Sequence, residues 1–490
     1  MKVAFVASGY ENLGVEYLSA CLKRQGHQVR LFFDPQTFGG GVFLKIDFLN
    51  RILSMTEKVV SAVVEWDPDI IGFSCMAHNY QWSLDVARRI KKARPSTAII
   101  FGGIQPTSIP EHVLSHDCVD MVAVGEGEFS LLRLIESMEQ GNGRTDIRGI
   151  YFKKGKQIIS NPVQPLCVDL DSLPFPDKDA FFEKIPAFGK ISYSITASRG
   201  CPFSCTYCCN DFLRTLYKGD QFSRRRTVQN LIAELREAKR KYNISSVFFY
   251  DEVFPGQLSW LQEFSETYRR EIRLPFKIYY HFRLADEERI KLLKNAGCGL
   301  IAFGLESVSE RIRRQICNRI YTNEEVISAI RMCQEYEIET VVDHLFGLPT
   351  ETEADQKEAV RFYRMLSPDI VYSFWLVYYP KTSIIEKAIS ADLLSEEDLE
   401  HIDSGERSYF HNSIFVKNKK VLEKYETLLD LVPLVSAKKH EIISETPLIF
   451  KLLPHGYFTH HFLLFLANLR MEHSPDTDHL KLLFSRKHVP

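Results

Sequence analysis

The protein has 490 residues, of which 45% are hydrophobic, 12% aromatic and 25% charged, a composition typical of globular proteins of about three domains. The 61 Lys and Arg residues nearly balance the 63 Asp and Glu residues, and the net charge of -2 argues against disorder and against general nucleic-acid binding. No run of about 18 uncharged apolar residues occurs, and the short apolar start MKVAFVAS predicts a strand rather than a signal peptide, so we expect a cytoplasmic protein without a transmembrane segment.

Short apolar runs alternate with helical patterns over residues 1–140. The predicted strands are KVAFVAS, HQVRLFF, DIIGFSC, TAIIFGG and DMVAVGEGE, and segments such as GVEYLSACLKRQG between them have amphipathic helical spacing. Nearly continuous apolar strands that alternate with helices are typical of a parallel sheet covered on both faces. We therefore predict a doubly wound, Rossmann-like α/β domain. The glycines at its strand ends either admit a ligand there or only form tight turns.

Residues 141–190 differ from what precedes them. The segment GIYFKKGKQIIS predicts a hairpin with Gly155 at its turn. The prolines of NPVQPLCVDLDSLPFPDKD predict an extended linker on the surface, which marks a domain boundary.

The alternation resumes over residues 191–385. Six strands are predicted, in ISYSITAS, SSVFFYDEVF, FKIYYHFRL, GLIAFGLES, TVVDHLFGLP and IVYSFWLVYY. Helical segments separate them, at 227–241, 257–271, 286–296, 322–336 and 352–366. Six strand–helix units indicate a (β/α)6 partial TIM barrel, with its chemistry at the carboxyl ends of the strands. We predict a mainly helical region for residues 386–490.

Four of the eleven cysteines fall in the segment ASRGCPFSCTYCCND, directly after the first predicted barrel strand. Cys201, Cys205 and Cys208 form C-x3-C-x2-C, so three thiolates can converge on one metal site. Structural zinc normally takes four ligands, and no second C-x2-C pair is present. Three thiolates on a four-iron cluster leave one iron open to a small molecule. We expect the side chain of Cys209 to point away; a structural metal site or buried thiols are the alternative.

This motif, with an aromatic residue before its last cysteine and a partial barrel after it, resembles the radical S-adenosylmethionine (SAM) superfamily. Residues 1–140 resemble the cobalamin-binding domain that many of its members carry. The resemblance implies a [4Fe–4S] cluster on Cys201, Cys205 and Cys208 that binds SAM and cleaves it to a 5′-deoxyadenosyl radical. It also implies SAM contacts from barrel strand ends: Tyr207, Asp251, Glu252, Glu306 and Gly347.

Several of these residues have a structural alternative. Asp251 and Glu252 also suit helix N-caps. Glu306 is followed by three arginines with which it could form a local ion pair: Arg311, Arg313 and Arg314. The arginine runs at 224–226 and 313–314 predict solvated faces at helix ends.

Many cobalamin proteins hold the cobalt from below with the His of an Asp-x-His-x-x-Gly motif, which this chain lacks. The loop after the first strand reads SGYENLG, and His78 lies outside such a motif, so the lower cobalt ligand stays open. The segments GGIQPTSIPEHVL and MVAVGEGE nevertheless resemble the domain as these enzymes carry it. The resemblance implies cobalamin contacts from the following residues: Ser8, Gly9, Asn12, Gly14, Ser74, Gly102, Gly103, Gly125, Glu126 and Gly127.

The resemblance as a whole implies an oxygen-sensitive, cobalamin-dependent radical SAM methyltransferase. The deoxyadenosyl radical would take a hydrogen atom from an unactivated carbon, which would then receive a methyl group from methylcobalamin. A radical SAM oxidative cyclase or rearrangement enzyme without methyl transfer is the alternative, and a non-enzymatic metal or cobalamin sensor is a second one.

The expected partners are a small-molecule or lipid-like substrate and a reductant such as flavodoxin or ferredoxin. Nucleic acid is not expected, because no RNA-binding module accompanies the basic runs. The segment HFLLFLANLRM predicts either a core helix, an entrance for a hydrophobic substrate or a membrane contact.

Overall fold

The computed structural model describes residues 1–36, 48, 52–184, 192–405 and 418–473. Its first seven strands are β1 (Lys2–Ser8), β2 (Gln28–Asp34), β3 (Ile70–Ser74), β4 (Ala98–Gly102), β5 (Met121–Ala123), β6 (Ile150–Lys154) and β7 (Gln157–Ile159). They form one sheet in the order β2-β1-β3-β4-β5-β6-β7, parallel from β1 to β5 and antiparallel beyond. The five predicted strands and the hairpin with Gly155 at its turn are confirmed.

Helices cover both faces of this sheet. Their bounds are Leu13–Arg24, Thr56–Trp66, Ala77–Ala93, Ile104–Ser108, Pro110–Ser115 and Glu128–Glu139. Successive side chains of a strand point to opposite faces, and those of β1 accordingly enter two separate cores. Val3 and Phe5 pack in one core, whereas Ala4 and Val6 pack in the other. The prediction of a doubly wound domain is therefore confirmed.

The second sheet forms the partial barrel. After β8 (Ser192–Ile195) come the short pair β9 (Ser198–Arg199) and β10 (Arg224–Arg225), then β11 (Ser246–Phe249), β12 (Phe276–Tyr280), β13 (Cys298–Glu306), β14 (Glu339–Phe346) and β15 (Ile370–Trp375). The six long strands are parallel, in the order β15-β14-β13-β12-β11-β8. The helices that follow five of them are Val228–Tyr242, Leu258–Glu271, Glu287–Ala296, Asn323–Glu335 and Glu353–Leu366. The six predicted strands and the five predicted helices between them are thus present, and β8 and β15 remain as edges.

Further helices join or follow the barrel. They are Asp179–Phe182, Cys209–Leu216, Glu310–Gln315, Ile384–Ser390, Glu396–Asp403, Lys419–Leu431, Ala437–Glu445, Pro447–Leu452 and Tyr457–Asn468. The last of them packs on the barrel face that the outer helices leave open, where Ala467 joins Leu300 and Val341 in one apolar cluster. None of the helices that the structure describes is long and apolar enough to cross a membrane.

The proline-rich segment buries some of its side chains against the first domain and exposes others, among them Val168. Leu170 and Leu173 are buried against Tyr17 of the first domain. Lys178 is 1% exposed, and its ammonium lies 2.8 Å from the carboxylates of Glu11 and Glu16. The prediction of a surface linker is therefore wrong for these buried side chains, because proline spacing indicates an extended backbone but not what the intervening side chains contact.

We expect Lys178→Ala to destabilise the protein by about 3–5 kcal/mol, because it leaves two buried carboxylates without their cation. Urea unfolding measures the change. The matched control is Lys241→Ala, since Lys241 is an exposed lysine that pairs with Asp179, and we expect it to cost less than about 1 kcal/mol. Equal effects of the two substitutions would contradict a stabilising role for the buried group.

Candidate active site

The three motif cysteines lie on the loop between β9 and the helix Cys209–Leu216. The backbone N–H of Thr206 donates to the carbonyl of Cys317, 3.2 Å away, and ties the loop to the barrel. Gly200 has a φ of 79°, and a Cβ at this position would lie 2.1 Å from the carbonyl oxygen of Phe222. Only glycine fits there. The loop is therefore held at its start and in its middle.

Burial and hydrogen bonds set the acidity of the thiols. Cys201 and Cys205 are buried, which raises the pKa of Cys201 to about 12 and raises the pKa of Cys205 as well. A hydrogen bond from the thiol of Cys209, helped by the side-chain amide of Asn210 at 3.6 Å, lowers the pKa of Cys208 to about 7. The expectation that the side chain of Cys209 points away from the motif stays a prediction.

Three thiolates on one loop are the kind of donor set that holds an iron–sulfur cluster. Within the described part of the chain, no three Cys, His, Asp or Glu side chains are grouped around one point as ligands of a single ion would be. The thiolates of a cluster bind different irons and lie further apart. Coordination also deprotonates thiols that burial keeps neutral. The residues that would hold the cluster are Cys201, Cys205 and Cys208.

Glu306 lies at a β-bulge at the end of β13. The register against β14 shifts between Gly304 and Glu306, and the backbone of Glu306 has a φ of 68°. A bulge re-aims the side chain at its position. The carboxylate accepts a hydrogen bond from the hydroxyl of Tyr207 at 2.8 Å and lies 3.3 Å from the guanidinium of Arg319. Burial raises the pKa of Glu306, and the charge of Arg319 opposes this increase.

Tyr207 and Glu306, predicted separately from two motifs, thus share one network. Arg319 completes it by donating to the hydroxyl of Tyr207 at 2.9 Å. The cation beside Glu306 is Arg319 and not one of the three arginines that closely follow it. The alternative of a local ion pair between Glu306 and Arg311, Arg313 or Arg314 is therefore wrong. Arg313 instead lies buried and donates to backbone carbonyls, so the prediction of a solvated face is wrong there too.

Asp251 and Glu252 follow β11 and have different surroundings. The Asp251 carboxylate accepts hydrogen bonds from the N–H of Ala197 at 3.0 Å and from the hydroxyl of Ser198, and burial raises its pKa to about 7. Glu252 is exposed to a cavity between the two sheets, and its enclosure there raises its pKa. The next helix is preceded by Gln257, so the N-cap alternative is wrong for both residues.

Strand β14 and the turn after it contribute two further buried carboxyl groups. The N–H of Gly347 donates to the carboxylate of Glu351 at 3.0 Å, and burial raises the pKa of Glu351 to about 8. Asp343 on β14, which the sequence reasoning missed, has its pKa raised by burial and by the charge of Glu306, while Arg319 opposes this. An acid within the apolar run VVDHLF was the signal that could have identified it.

A cavity of about 290 Å³ lies where the strand ends of the two sheets face each other. The barrel contributes Thr196, Ser198, Arg199, Tyr250 and Glu252 to its wall. Seven of the ten residues predicted for cobalamin line it from the other side: Gly14, Ser74, Gly102, Gly103, Gly125, Glu126 and Gly127.

The other three predicted residues do not line the cavity. The side chain of Asn12 accepts from the N–H of Val15 at 3.0 Å, which caps the first helix, and donates to the hydroxyl of Ser74 at 3.2 Å. Ser8 and Gly9 end β1 and do not line the cavity. Their contact with cobalamin stays a prediction.

The lining fits a flat macrocycle. Strand ends without side chains let a ring approach the backbone, and apolar side chains such as Phe5, Phe73 and Ile100 surround them. A corrinoid is larger than this cavity of about 290 Å³ and would extend beyond it. His78 is not part of the lining, and burial lowers its pKa.

Ion pairs join the two sides of the cavity. Arg224 donates to both carboxylate oxygens of Glu126, at 2.8 and 3.1 Å, and Arg199 lies 2.7 Å from the carboxylate of Glu128. Two of the three arginines at 224–226, Arg224 and Arg226, are buried, the second paired with Glu234 at 2.6 Å. The prediction of a solvated face is therefore wrong for these two.

Gly125 makes room for a residue of the barrel side. A Cβ on Gly125, whose φ is 87°, would lie 1.9 Å from the hydroxyl of Tyr217. The same hydroxyl accepts a hydrogen bond from the N–H of Glu126 at 2.8 Å. In this structure the glycine therefore serves a contact between the two domains.

Each of the two domains matches a known protein family. The B12 binding domain model matches residues 3–135, and the Radical SAM superfamily model matches residues 195–363. The chain belongs to the radical SAM enzymes that carry a B12-binding domain. SAM, a [4Fe–4S] cluster and cobalamin are accordingly its cofactors. Two features of this radical SAM enzyme agree with the match: the cysteine motif, and the position of the B12-binding domain before the barrel.

Individual relatives are distant in sequence. An uncharacterized methyltransferase of Pyrococcus horikoshii is 26% identical over 388 residues, 78% of this chain and 79% of the relative. The anaerobic magnesium-protoporphyrin IX monomethyl ester cyclase of Cereibacter sphaeroides is 24% identical over 78% of this chain, which covers 62% of that protein. The structure of the methyltransferase TsrM from Kitasatospora setae, with cobalamin and a [4Fe–4S] cluster bound, superposes with a TM-score of 0.62 at 17% identity, over 78% of this chain and 76% of that one.

Proposed function

We propose that this radical SAM enzyme is a cobalamin-dependent methyltransferase that methylates an unactivated carbon of a small molecule. The observation that carries the proposal is the cavity, which seven residues predicted for cobalamin share with Glu252 of the barrel. Methyl transfer needs a methyl donor and a radical generator that both face the substrate. The facing strand ends of the two domains meet this requirement. The relative from Pyrococcus horikoshii, itself named a methyltransferase, supports the assignment.

Different residues of the chain would bind the cluster, the corrinoid and SAM. Cys201, Cys205 and Cys208 would hold the cluster, and the cavity glycines would hold the corrinoid. When bound, these groups supply the electron that cleaves SAM to a deoxyadenosyl radical and the methyl group that the substrate carbon receives. The carboxylates of Glu252 and Glu306 would attract the cationic ammonium and sulfonium groups of SAM.

Other residues would hold the cysteine loop in position and exclude water from the cavity. Asp251 accepts hydrogen bonds from Ala197 and Ser198, and so fixes the chain that leads into the cysteine loop. The pair of Arg224 with Glu126, which lines the cavity, joins the two domains there. A reactive radical requires such enclosure, because water and side chains would otherwise quench it.

The test is the product ratio from SAM. The protein is reconstituted without oxygen with iron, sulfide and hydroxocobalamin, desalted and incubated with SAM and a chemical reductant. We expect both S-adenosylhomocysteine, from methylation of the corrinoid, and 5′-deoxyadenosine, from radical generation. Omitting hydroxocobalamin should remove the first product and leave the second. Formation of neither product by protein that contains its iron would contradict the proposal.

A second candidate is an oxidative cyclase or rearrangement enzyme without methyl transfer. The similarity to the anaerobic magnesium-protoporphyrin IX monomethyl ester cyclase favours it. In that case 5′-deoxyadenosine would form while S-adenosylhomocysteine would not, even with cobalt bound. The same experiment therefore separates the two candidates.

A further inference from the structure

The last two helices that the structure describes expose an apolar face away from the cavity. Five large apolar side chains, at least 57% exposed, form it: Leu448, Leu452, Phe458, Phe462 and Leu469. Residues 458, 462 and 469 are spaced by one and two helical turns and share one side of their helix. Single exposed apolar residues are ordinary, but a group on consecutive helices marks an interaction site. We call these five residues the terminal apolar face.

One neighbouring helix, Lys419–Leu431, holds the last two helices side by side, so that their exposed apolar side chains form one surface. Along helix Lys419–Leu431, the ammonium of Lys424 donates to the carbonyl of residue 451 at 2.6 Å, and Thr427 donates to the carbonyl of residue 454 at 3.0 Å. Asp430 contacts the ring of His460 at 2.9 Å. Positions 424, 427 and 430 follow one side of that helix. The chain from 451 to 460 therefore runs along it and presents its opposite side outward.

The inner side of the same segment closes the barrel. Ala467 and Leu464 pack with Leu300 of β13, and the side chain of Asn468 accepts from the hydroxyl of Tyr372 at 2.9 Å. The last helix thus has one side in the protein interior and another, with Phe458 and Phe462, in solvent. Its exposed apolar side chains are not needed for the packing of the barrel.

Three exposed lysines lie on the last three helices that the structure describes. The last three helices carry two acids, Glu441 and Glu445, each paired with an arginine of helix Glu353–Leu366, at 3.7 and 3.1 Å. Among the residues that the structure describes, no carboxylate lies within ion-pair distance of the exposed lysines on these helices: Lys438, Lys439 and Lys451. Within these three helices the lysines are therefore the charges left without a partner of opposite sign, whereas both acids are paired.

We propose that the terminal apolar face docks on the surface of an anionic lipid bilayer. Interfacial helices bury apolar side chains at the boundary between headgroups and acyl chains while lysines contact lipid phosphates, and this face offers both features. The helices described are too short to span a membrane, so the contact is peripheral. The proposal does not depend on the reaction assigned above.

Co-sedimentation of the full protein with vesicles tests this. We expect binding to phosphatidylcholine vesicles that contain phosphatidylglycerol and little binding to phosphatidylcholine alone, with a decrease at high salt. The double variant Leu452→Glu/Phe458→Glu should lose binding. Lys438→Glu/Lys439→Glu should lower the partition coefficient at least about tenfold, because each lysine contributes to attraction by anionic lipid. Val168→Glu, which changes an equally exposed apolar residue outside the face, is the matched control and should bind normally.

Three results would overturn the proposal. One is equal binding, or none, to the two kinds of vesicle. Another is binding that the face variants and Val168→Glu alter to the same extent. The third is a concentration-dependent dimer, seen by sedimentation velocity and abolished by Leu452→Glu/Phe458→Glu, which would assign the face to a second copy of the chain. Circular dichroism of every variant shows whether the fold is retained.

Discussion

Replacing Cys205 with alanine is expected to abolish the formation of 5′-deoxyadenosine from SAM. The thiol of Cys205 is buried on a loop that the barrel holds in place. Burial raises its pKa and keeps it neutral, and coordination to iron would supply the stabilisation that deprotonates it. Removal of one of three thiolates leaves a second iron of the cluster without a protein ligand. Anaerobic reconstitution followed by iron analysis and quantification of 5′-deoxyadenosine measures both consequences.

Cys209→Ala is the matched control for this experiment. Cys209 is the next residue after the motif, and its thiol donates a hydrogen bond to Cys208. Its loss removes that hydrogen bond but no predicted ligand, so about four irons per chain should remain. Undiminished 5′-deoxyadenosine from Cys205→Ala would refute the cluster assignment. Equal loss of iron from both variants would instead make Cys209 part of the metal site.

The predictable part of this fold follows from local periodicity. Apolar runs such as KVAFVAS and the helical spacing between them depend on residues close in the sequence, and the two sheets follow from them. The cysteine motif is equally local. Both the two sheets and the cysteine motif could therefore be predicted from the sequence.

Contacts between distant segments were not accessible in the same way. Glu306 pairs with Arg319 rather than with a nearer arginine, because a bulge turns its carboxylate towards that side of the barrel. Arg224 is buried against Glu126 of the other domain, although its basic run predicted a solvated face. Charge in a sequence gives the sign of a side chain but not its partner.

The same limit applies to the glycines of the first domain. At Gly125 the hydroxyl of Tyr217 leaves no space for a Cβ, and no local sequence pattern predicts that contact. The space at Gly102, in contrast, opens into the cavity, and the nearest atom to a Cβ there is that of Ala123 at 3.4 Å. This difference decides which glycine can test the cobalamin site without disturbing the contact between the domains.

We expect Gly102→Phe to remove cobalt binding while leaving iron in place. A phenylalanine ring at the end of β4 would occupy the cavity that seven of the predicted cobalamin residues line. The cysteine loop belongs to the other sheet, so the cluster should assemble. Cobalt and iron are measured on the same desalted sample. S-adenosylhomocysteine should disappear, and 5′-deoxyadenosine should still form.

Gly102→Ala is the control that isolates the effect of the ring. Its Cβ would make only an ordinary contact with Ala123 and would leave most of the cavity empty, so cobalt should bind as in the unaltered protein. Cobalt retained by Gly102→Phe would place the corrinoid away from these strand ends, in conflict with the proposed site. Loss of cobalt from the phenylalanine variant alone, with iron unchanged in both, would tie corrinoid binding to the cavity itself, because the two variants differ only in how far the side chain extends into it.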